Sequence, residues 1–221
     1  IALYSYAHLP ERFKPQRRID ATALPSAEEK LAIMAMSVEH LTRAGYVAIG
    51  MDHFAKATDD LAVALQQGHL QRNFQGYSTH PDCDLLGIGL TAIGKVGPAY
   101  AQNCREIGDY YDALDRGVAP VQRGIELSPD DLLRRAVIMA LMCQFSVSKE
   151  SISAAHLIDF DRYFEQELQA MEPLRQAGLV ELERDWIEVT AKGRLLVRAV
   201  AMVFDRYLRT TIERARYSKV I

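Results

Sequence analysis

The sequence predicts an α/β protein in two parts: an α/β domain over residues 1–125 and a mainly helical, winged-helix-like domain over residues 126–221. In the first part, short apolar segments typical of strands alternate with an amphipathic helical segment. In the second part, helical segments precede a hairpin pattern and a closing helical segment. Hydrophobic residues make up 49% of the chain and charged residues 25%, which is typical of a globular protein and excludes a disordered one.

Residues 1–7 begin with the apolar and aromatic pattern of a strand. A parallel strand of this kind is normally buried on both faces and needs neighbours. We therefore expect the sequence to start within a sheet and to be a piece of a longer polypeptide. Residues 11–25, which carry Pro15 and Pro25, are predicted to form a loop.

A helix of about 18 residues and a second strand follow this loop. Ser26 is the predicted N-cap, and Glu29, three positions later, completes a capping box. Gly45 ends the helix, and residues 46–51 have the pattern of the strand. The order strand, helix, strand predicts a βαβ unit, in which the two strands are parallel and the crossover is right-handed.

The rest of the first domain is predicted to hold few regular elements. We expect a short helix over residues 59–67 and a second one around 103–115. A turn at Gly117 and loops fill the remainder of residues 97–127.

The composition changes before Ser128, so we place the domain boundary between Arg123 and Ser128. Pro129 is then the first residue of a helix, a position that proline favours. Helices are predicted over residues 129–144, 151–156 and 160–176.

The end of the second domain has the pattern of a wing and a closing helix. Residues 178–182 and 186–190 alternate in polarity around Arg184 and Asp185, which predicts a β-hairpin. A final helix is predicted from Ala191 to about residue 209.

The charge of the chain argues against nucleic acid or an anionic membrane as the main partner. The net charge is −3, and from residue 128 onward fourteen Lys and Arg balance fourteen Asp and Glu. The predicted wing is acidic and would repel phosphate. A winged-helix DNA-binding regulator is therefore the less favoured interpretation. No apolar run approaches the roughly 20 residues that a membrane-spanning helix needs.

The cysteines indicate a reduced, cytoplasmic setting. Cys83, Cys104 and Cys143 are an odd number in a chain too large to need disulfides, and no secretory signal pattern opens the sequence. No pair of histidines shows the spacing of metal ligands, so no metal ligand is predicted.

Five segments of the chain resemble one family, the oxygen-independent coproporphyrinogen III oxidases of the radical SAM class. These segments occur in order along nearly the whole sequence. They are residues 6–10 (YAHLP), 50–55 (GMDHFA), 72–77 (RNFQGY), 84–89 (DLLGIG) and 189–194 (VTAKGR). The resemblance implies the C-terminal part of a partial (β/α) radical SAM barrel, followed by the winged-helix-like domain.

The resemblance also implies an activity in haem biosynthesis. Members of this family oxidatively decarboxylate two propionates of coproporphyrinogen III and form protoporphyrinogen IX. They use S-adenosyl-L-methionine and a [4Fe–4S] cluster held by a Cys-x3-Cys-x2-Cys motif, which this sequence lacks. We therefore expect the chain by itself to be inactive and the full-length enzyme to act as a monomer on a small tetrapyrrole. A haem-binding or haem-chaperone relative of the same family is the alternative.

The resemblance places the S-adenosylmethionine contacts on four residues, while catalytic residues stay unassigned. Ala7 is implied to contact the cofactor through its backbone, and it could equally be a small residue needed for packing. Gly87 and Gly89 allow a close backbone approach to the adenosine part, against which Ile93 would pack.

Substrate-binding candidates follow from the four carboxylates of coproporphyrinogen, which call for charge-assisted hydrogen bonds. Arg17, Arg18 and Arg72 lie in predicted loops, although each could simply be a solvated surface charge. His53 follows Asp52 at the end of a strand, where it could orient the substrate or be a structural residue. Tyr77 is a supporting candidate.

Overall fold

The computed structural model describes residues 1–80 and 83–210. The first half of this region holds three helices and seven strands. The helices are α1 (Ala27–Arg43), α2 (Asp60–Gln66) and α3 (Ile107–Asp115). The strands are β1 (Tyr46–Gly50), β2 (His53–Lys56), β3 (Gln71–Asn73), β4 (Gly76–Ser78), β5 (Ile93–Val96), β6 (Ala99–Asn103) and β7 (Val121–Glu126).

The second half is mainly helical, as the sequence predicts. Its helices are α4 (Pro129–Gln144), α5 (Lys149–His156), α6 (Phe160–Tyr163), α7 (Glu165–Gln176), α8 (Val197–Met202) and α9 (Arg206–Thr210). Its strands are β8 (Ser146–Ser148), β9 (Val180–Leu182) and β10 (Trp186–Val189), which form one antiparallel sheet in the order β8-β10-β9.

Helix α1 begins and ends where the sequence predicts. The Ser26 hydroxyl accepts a hydrogen bond from the Glu29 N–H, and the Glu29 carboxylate accepts one from the Ser26 N–H. These two bonds satisfy backbone donors that the first turn of a helix leaves unpaired. Gly45 follows the helix with φ +78°, a conformation that glycine adopts without strain.

The parallel βαβ unit predicted around α1 is wrong, because the strand after α1 pairs with its sequence neighbour. Strand β1 pairs antiparallel with β2 through a tight turn at Met51, which has φ +49°. Residues 1–7 contribute only one antiparallel bridge, between Ala2 and His53. Ile1 and Tyr4 are 57% and 70% exposed, so the opening segment is not a buried strand in this chain.

The loops predicted between residues 97 and 127 contain two strands of a three-stranded antiparallel sheet, β5-β6-β7. Helix α3 confirms the helix predicted around 103–115 but begins at Ile107. Strand β7 is exposed at every position, so its sequence lacks the alternation that marks a half-buried strand.

The hairpin predicted near Arg184 is confirmed by the pairing of β9 with β10. The single closing helix is wrong. A 3-10 turn over Gly193–Leu196 precedes α8, and the chain bends again at Asp205. The Asp205 carboxylate accepts a hydrogen bond from the Tyr207 N–H, which starts α9 as a separate helix.

The hydrophobic core lies mainly in the second half and extends into the first. Phe164 and Phe204 contact edge to face at 5.3 Å in its centre. Ile49 and Leu70, from before the predicted domain boundary, belong to the same cluster. Packing across this boundary brings the β3–β4 hairpin against α4, and the boundary at residues 125 and 126 stays a prediction.

No helix in the described part of the chain is long and apolar enough to cross a membrane.

Candidate functional site

A cavity of about 590 Å³ lies between the β3–β4 hairpin, strands β5 and β6, and helices α4 and α8. Its volume falls in the range of small-molecule sites in proteins. Large apolar side chains in its lining are Phe74, Leu85, Leu127, Ile138, Met139, Met142, Met202 and Phe204. Cationic side chains in its lining are Arg72, Lys95, Arg134, Arg135, Arg198 and Arg206. The carboxylates of Asp84, Asp131 and Asp205 also line the cavity, so its lining combines apolar surface with an excess of cationic side chains.

The β3–β4 hairpin sets the position of Arg72. The Asn73 side-chain oxygen accepts a hydrogen bond from the Gln75 N–H, and Gly76 has φ +131°. Asn side chains that bond the backbone two residues on, and glycines at positive φ, both favour tight turns. Arg72 and Tyr77 face each other across the two strands, so their side chains share one face of the hairpin.

Tyr77 connects this hairpin to helix α4. The Arg72 guanidinium lies 4.6 Å from the centre of the Tyr77 ring, within the range of a cation–π contact. The Tyr77 hydroxyl donates a 2.9 Å hydrogen bond to the Met142 carbonyl. Gly50 leaves room for the ring, because a Cβ there would collide with the Tyr77 hydroxyl. Burial raises the pKa of Tyr77 above its ordinary value, so the hydroxyl stays a donor at neutral pH.

His53 also contacts Tyr77, at a ring-centre distance of 5.4 Å and nearly perpendicular. Its Nδ1 is 2.7 Å from the Asp52 carboxylate, and both side chains are largely buried. The two atoms are close enough for an ion pair but are not aligned as a hydrogen bond. Of the substrate-binding candidates, the structure therefore brings His53, Arg72 and Tyr77 together.

Replacing Tyr77 by Phe tests how firmly the hairpin is held. The Met142 carbonyl belongs to the last four residues of α4, whose carbonyls lack helical partners. Loss of the hydrogen bond from the Tyr77 hydroxyl should lower the free energy of unfolding by about 1 kcal/mol. Denaturant titration measures this, with Tyr111→Phe as the control because Tyr111 is 57% exposed. Equal, negligible effects of both substitutions would contradict the assignment.

Two arginines of the cavity are bound to carboxylates on the same side of the site. Arg134 contacts Asp130 at 2.9 Å and Glu167 at 2.6 Å. Arg206 contacts Asp130 at 2.6 Å. Partial burial opposes ionisation of Asp130, but the Tyr163 hydroxyl and Arg134 outweigh it, so the pKa of Asp130 lies below its usual value. These cations are neutralised within the chain.

The predicted candidates Arg17 and Arg18 lie elsewhere. Both are exposed in a 3-10 turn over Lys14–Arg18, and the Arg17 Nε donates to the Pro10 carbonyl at 2.8 Å. A second cavity, of about 210 Å³, lies near this turn and is lined by Tyr4, Tyr6 and His8 among others. Neither arginine lines either of these two cavities, and their substrate role stays a prediction.

The glycine loop before β5 is held by a residue that sequence reasoning missed. The buried Asn103 amide donates 2.9 Å hydrogen bonds to the carbonyls of Gly87 and Gly89. A Cβ on Gly87 would lie 2.9 Å from the carbonyl carbon of Ile93, so the two backbones pack closely. Asn103 lies 14 residues beyond Gly89, and no local pattern signals this contact.

The predicted cofactor residues line neither of the two cavities described above. Ala7 is exposed, and its carbonyl accepts a hydrogen bond from the Gln16 side chain at 3.1 Å. The Gly89 N–H donates to the Tyr110 hydroxyl at 3.2 Å. Neither cavity described above is lined by Ala7 or Ile93. Their contacts with S-adenosylmethionine stay a prediction.

The cysteines do not fit a [4Fe–4S] cluster. Cys83 is exposed, Cys104 is half-buried and Cys143 is buried. Burial raises the pKa of the Cys143 thiol to about 11, which disfavours the thiolate that a cluster needs. Within residues 1–80 and 83–210, no group of three or more His, Cys, Asp or Glu side chains could hold a metal ion.

Comparisons with known proteins show which family the chain belongs to. The oxygen-independent coproporphyrinogen III oxidase of Pseudomonas aeruginosa is 48% identical over all 221 residues, which cover 48% of that protein. The protein of the same name from Thermostichus vulcanus is 47% identical, and the match covers 100% of this chain and 68% of that protein. The chain belongs to the oxygen-independent coproporphyrinogen III oxidase family. The resemblance predicted from five short segments is thereby confirmed.

A family model and a solved structure also match the chain. The HemN C-terminal domain family matches residues 127–196. A solved structure of coproporphyrinogen III oxidase from Escherichia coli, titled a radical SAM enzyme, superposes with a TM-score of 0.88 at 46% identity. It covers 93% of this chain and 48% of that one, so the chain spans about half the length of most of these relatives. The predicted α/β fold class is confirmed, and the described strands form four small sheets without a closed barrel.

Proposed function

We propose that this chain is the C-terminal part of an enzyme that oxidatively decarboxylates coproporphyrinogen III to protoporphyrinogen IX. The observation that carries the proposal is the cavity between the β3–β4 hairpin and α4, in a chain of this family. A tetrapyrrole with four propionates needs apolar walls for its rings and cations for its carboxylates. The cavity lining offers both.

The chain's own part in this reaction is to bind and orient the substrate. Apolar side chains such as Phe74 and Ile138 would pack against the macrocycle and keep water from it. Phe74 already contacts Tyr100 edge to face at 5.2 Å, which fixes one wall of the cavity. Orientation of the propionates would then depend on the cations of the lining.

The radical chemistry would come from groups that the described residues do not hold. In the full-length enzyme, S-adenosylmethionine and a [4Fe–4S] cluster would supply the oxidising radical. Because the described residues provide no cluster ligands, those cysteines would have to lie in another part of the full-length enzyme.

Anaerobic turnover of the full-length enzyme tests the proposal. With reconstituted cluster, reductant and S-adenosylmethionine, coproporphyrinogen III should lose two carbon dioxide molecules and give protoporphyrin fluorescence after oxidation. The 221-residue chain alone should show neither cluster absorbance nor turnover. Unchanged coproporphyrinogen III with a fully loaded enzyme would contradict the proposal, and a Soret band on adding haem to that enzyme would favour the haem-binding alternative.

A further inference from the structure

We infer that Arg72 determines substrate specificity by binding one propionate carboxylate of the tetrapyrrole. The inference rests on the proposed function and names the residue that recognises the negative charge of the ligand. Arg72 lines the large cavity. Its Nη1 is buried and has no hydrogen-bond partner among residues 1–80 and 83–210. A buried guanidinium N–H without a partner is an open donor for an anion, because bulk water does not hydrate it either.

Three other arginines of the cavity already bind groups of the protein. Arg134 and Arg206 are held by Asp130, as described above. The Arg135 Nε donates to the Tyr100 hydroxyl at 2.9 Å. An incoming carboxylate would compete with these contacts, whereas at Arg72 it would fill a vacant donor position.

Arg72 is also held in place before any ligand arrives. Its guanidinium stacks on the Tyr77 ring, and Tyr77 is fixed by its hydrogen bond to the Met142 carbonyl. The cross-strand pairing of Arg72 with Tyr77 adds a backbone constraint. A side chain that is ordered in advance loses less conformational entropy on binding, so its hydrogen bonds contribute more to affinity. Tyr77 is thus a positioning residue for Arg72.

The surroundings of Arg72 indicate an amphipathic carboxylate. Phe74, two residues along the hairpin, and Met142, whose carbonyl binds the Tyr77 hydroxyl, both line the cavity. A ligand bound at Arg72 would therefore pack an apolar part against these side chains and place an anionic group at the guanidinium. Guanidinium matches a carboxylate through two parallel N–H donors, which an ammonium group cannot reproduce.

Equilibrium binding to the full-length enzyme tests the inference with two probes. The first is coproporphyrin III, the stable oxidised tetrapyrrole with four propionates, and the second is its neutral tetrapropionamide. Arg72→Gln should raise the Kd of coproporphyrin III about 10- to 100-fold. It should change the Kd of the tetrapropionamide by less than about threefold, because that ligand offers no carboxylate. Arg72→Lys should fall between, since it keeps the charge and loses the paired donors.

The control is Arg175→Gln, which removes the same charge from an exposed pair with Glu172 on α7. It should leave both affinities unchanged. Equal weakening of both probes by Arg72→Gln, or no weakening of either, would overturn the inference. If the unsubstituted enzyme converts coproporphyrinogen III but Arg72→Gln leaves the Kd of coproporphyrin III unchanged, only the role of Arg72 is overturned. An unsubstituted enzyme that neither binds nor converts the tetrapyrrole would overturn this inference and the proposed function together.

Discussion

Replacing Arg134 by Met should lower the free energy of unfolding by about 1.5–3 kcal/mol, because it removes a charge-assisted hydrogen bond from a buried carboxylate. Glu167 is 2% exposed, and its carboxylate lies 2.6 Å from the Arg134 guanidinium. Arg134 also donates to Asp130 and to the Phe204 carbonyl, and so connects α4, α7 and the segment before α9. Met keeps much of the apolar volume, so the loss reports mainly on charge and hydrogen bonding.

Arg175→Met is the matched control for this substitution. Arg175 also pairs with a glutamate at 2.7 Å, but the two side chains are 50% and 41% exposed. Exposed pairs contribute about 0–1 kcal/mol, so the control should be nearly neutral. Chemical denaturation of the full-length enzyme, followed by circular dichroism, compares the two. Similar stabilities of both variants would mean that the buried network does not hold α4 to α7.

Gly193→Ala should lower the free energy of unfolding by about 1–3 kcal/mol, the usual cost of overpacking. A Cβ at Gly193 would lie 2.8 Å from the backbone carbonyl carbon of Leu179 and closer still to its oxygen. It would also lie 3.0 Å from the Val189 side chain. The collision is with the backbone next to β9, so the closing turn would have to move away from the β9–β10 hairpin.

Gly108→Ala is the control, because the same substitution there should raise the free energy of unfolding. Gly108 lies in helix α3, and a Cβ there would meet no atom within 4 Å. Alanine in a helix should therefore stabilise the protein by about 0.5–1 kcal/mol. Thermal melts of both variants give the comparison. A Gly193→Ala variant as stable as the unsubstituted protein would show that the turn and the hairpin do not pack as described.

Part of the candidate site could be predicted from the sequence. The sequence predicts His53, Arg72 and Tyr77 as substrate-binding candidates, and the structure places them in one cluster, of which Arg72 lines the large cavity. The motifs named these side chains but not their neighbours. Met142, whose carbonyl binds Tyr77, lies 65 residues further along, and Asn103 holds a glycine loop that its own sequence context does not indicate. Such contacts link distant segments, so no local pattern encodes them.

The sequence by itself determined the elements whose signals are local. Helices α1 and α4 are capped by Ser26 and Ser128, each with an acidic residue three positions later that completes the capping box. The β9–β10 hairpin follows from alternation around a two-residue polar turn. In these cases the partners of each hydrogen bond lie a few residues apart, so the residues that form the bond also form the pattern.

Only the tertiary structure decided how the strands pair and which cations are available to a ligand. Strand β1 pairs antiparallel with β2, although its order after α1 predicted a parallel partner in residues 1–7. The sequence does not distinguish Arg134 from Arg72 by the partners of their guanidinium groups. In the structure, Arg134 is neutralised by carboxylates, whereas the buried Nη1 of Arg72 has no hydrogen-bond partner among the described residues. Strand pairing and side-chain burial depend on segments far apart in the chain. Their free energies are therefore set only when those segments meet.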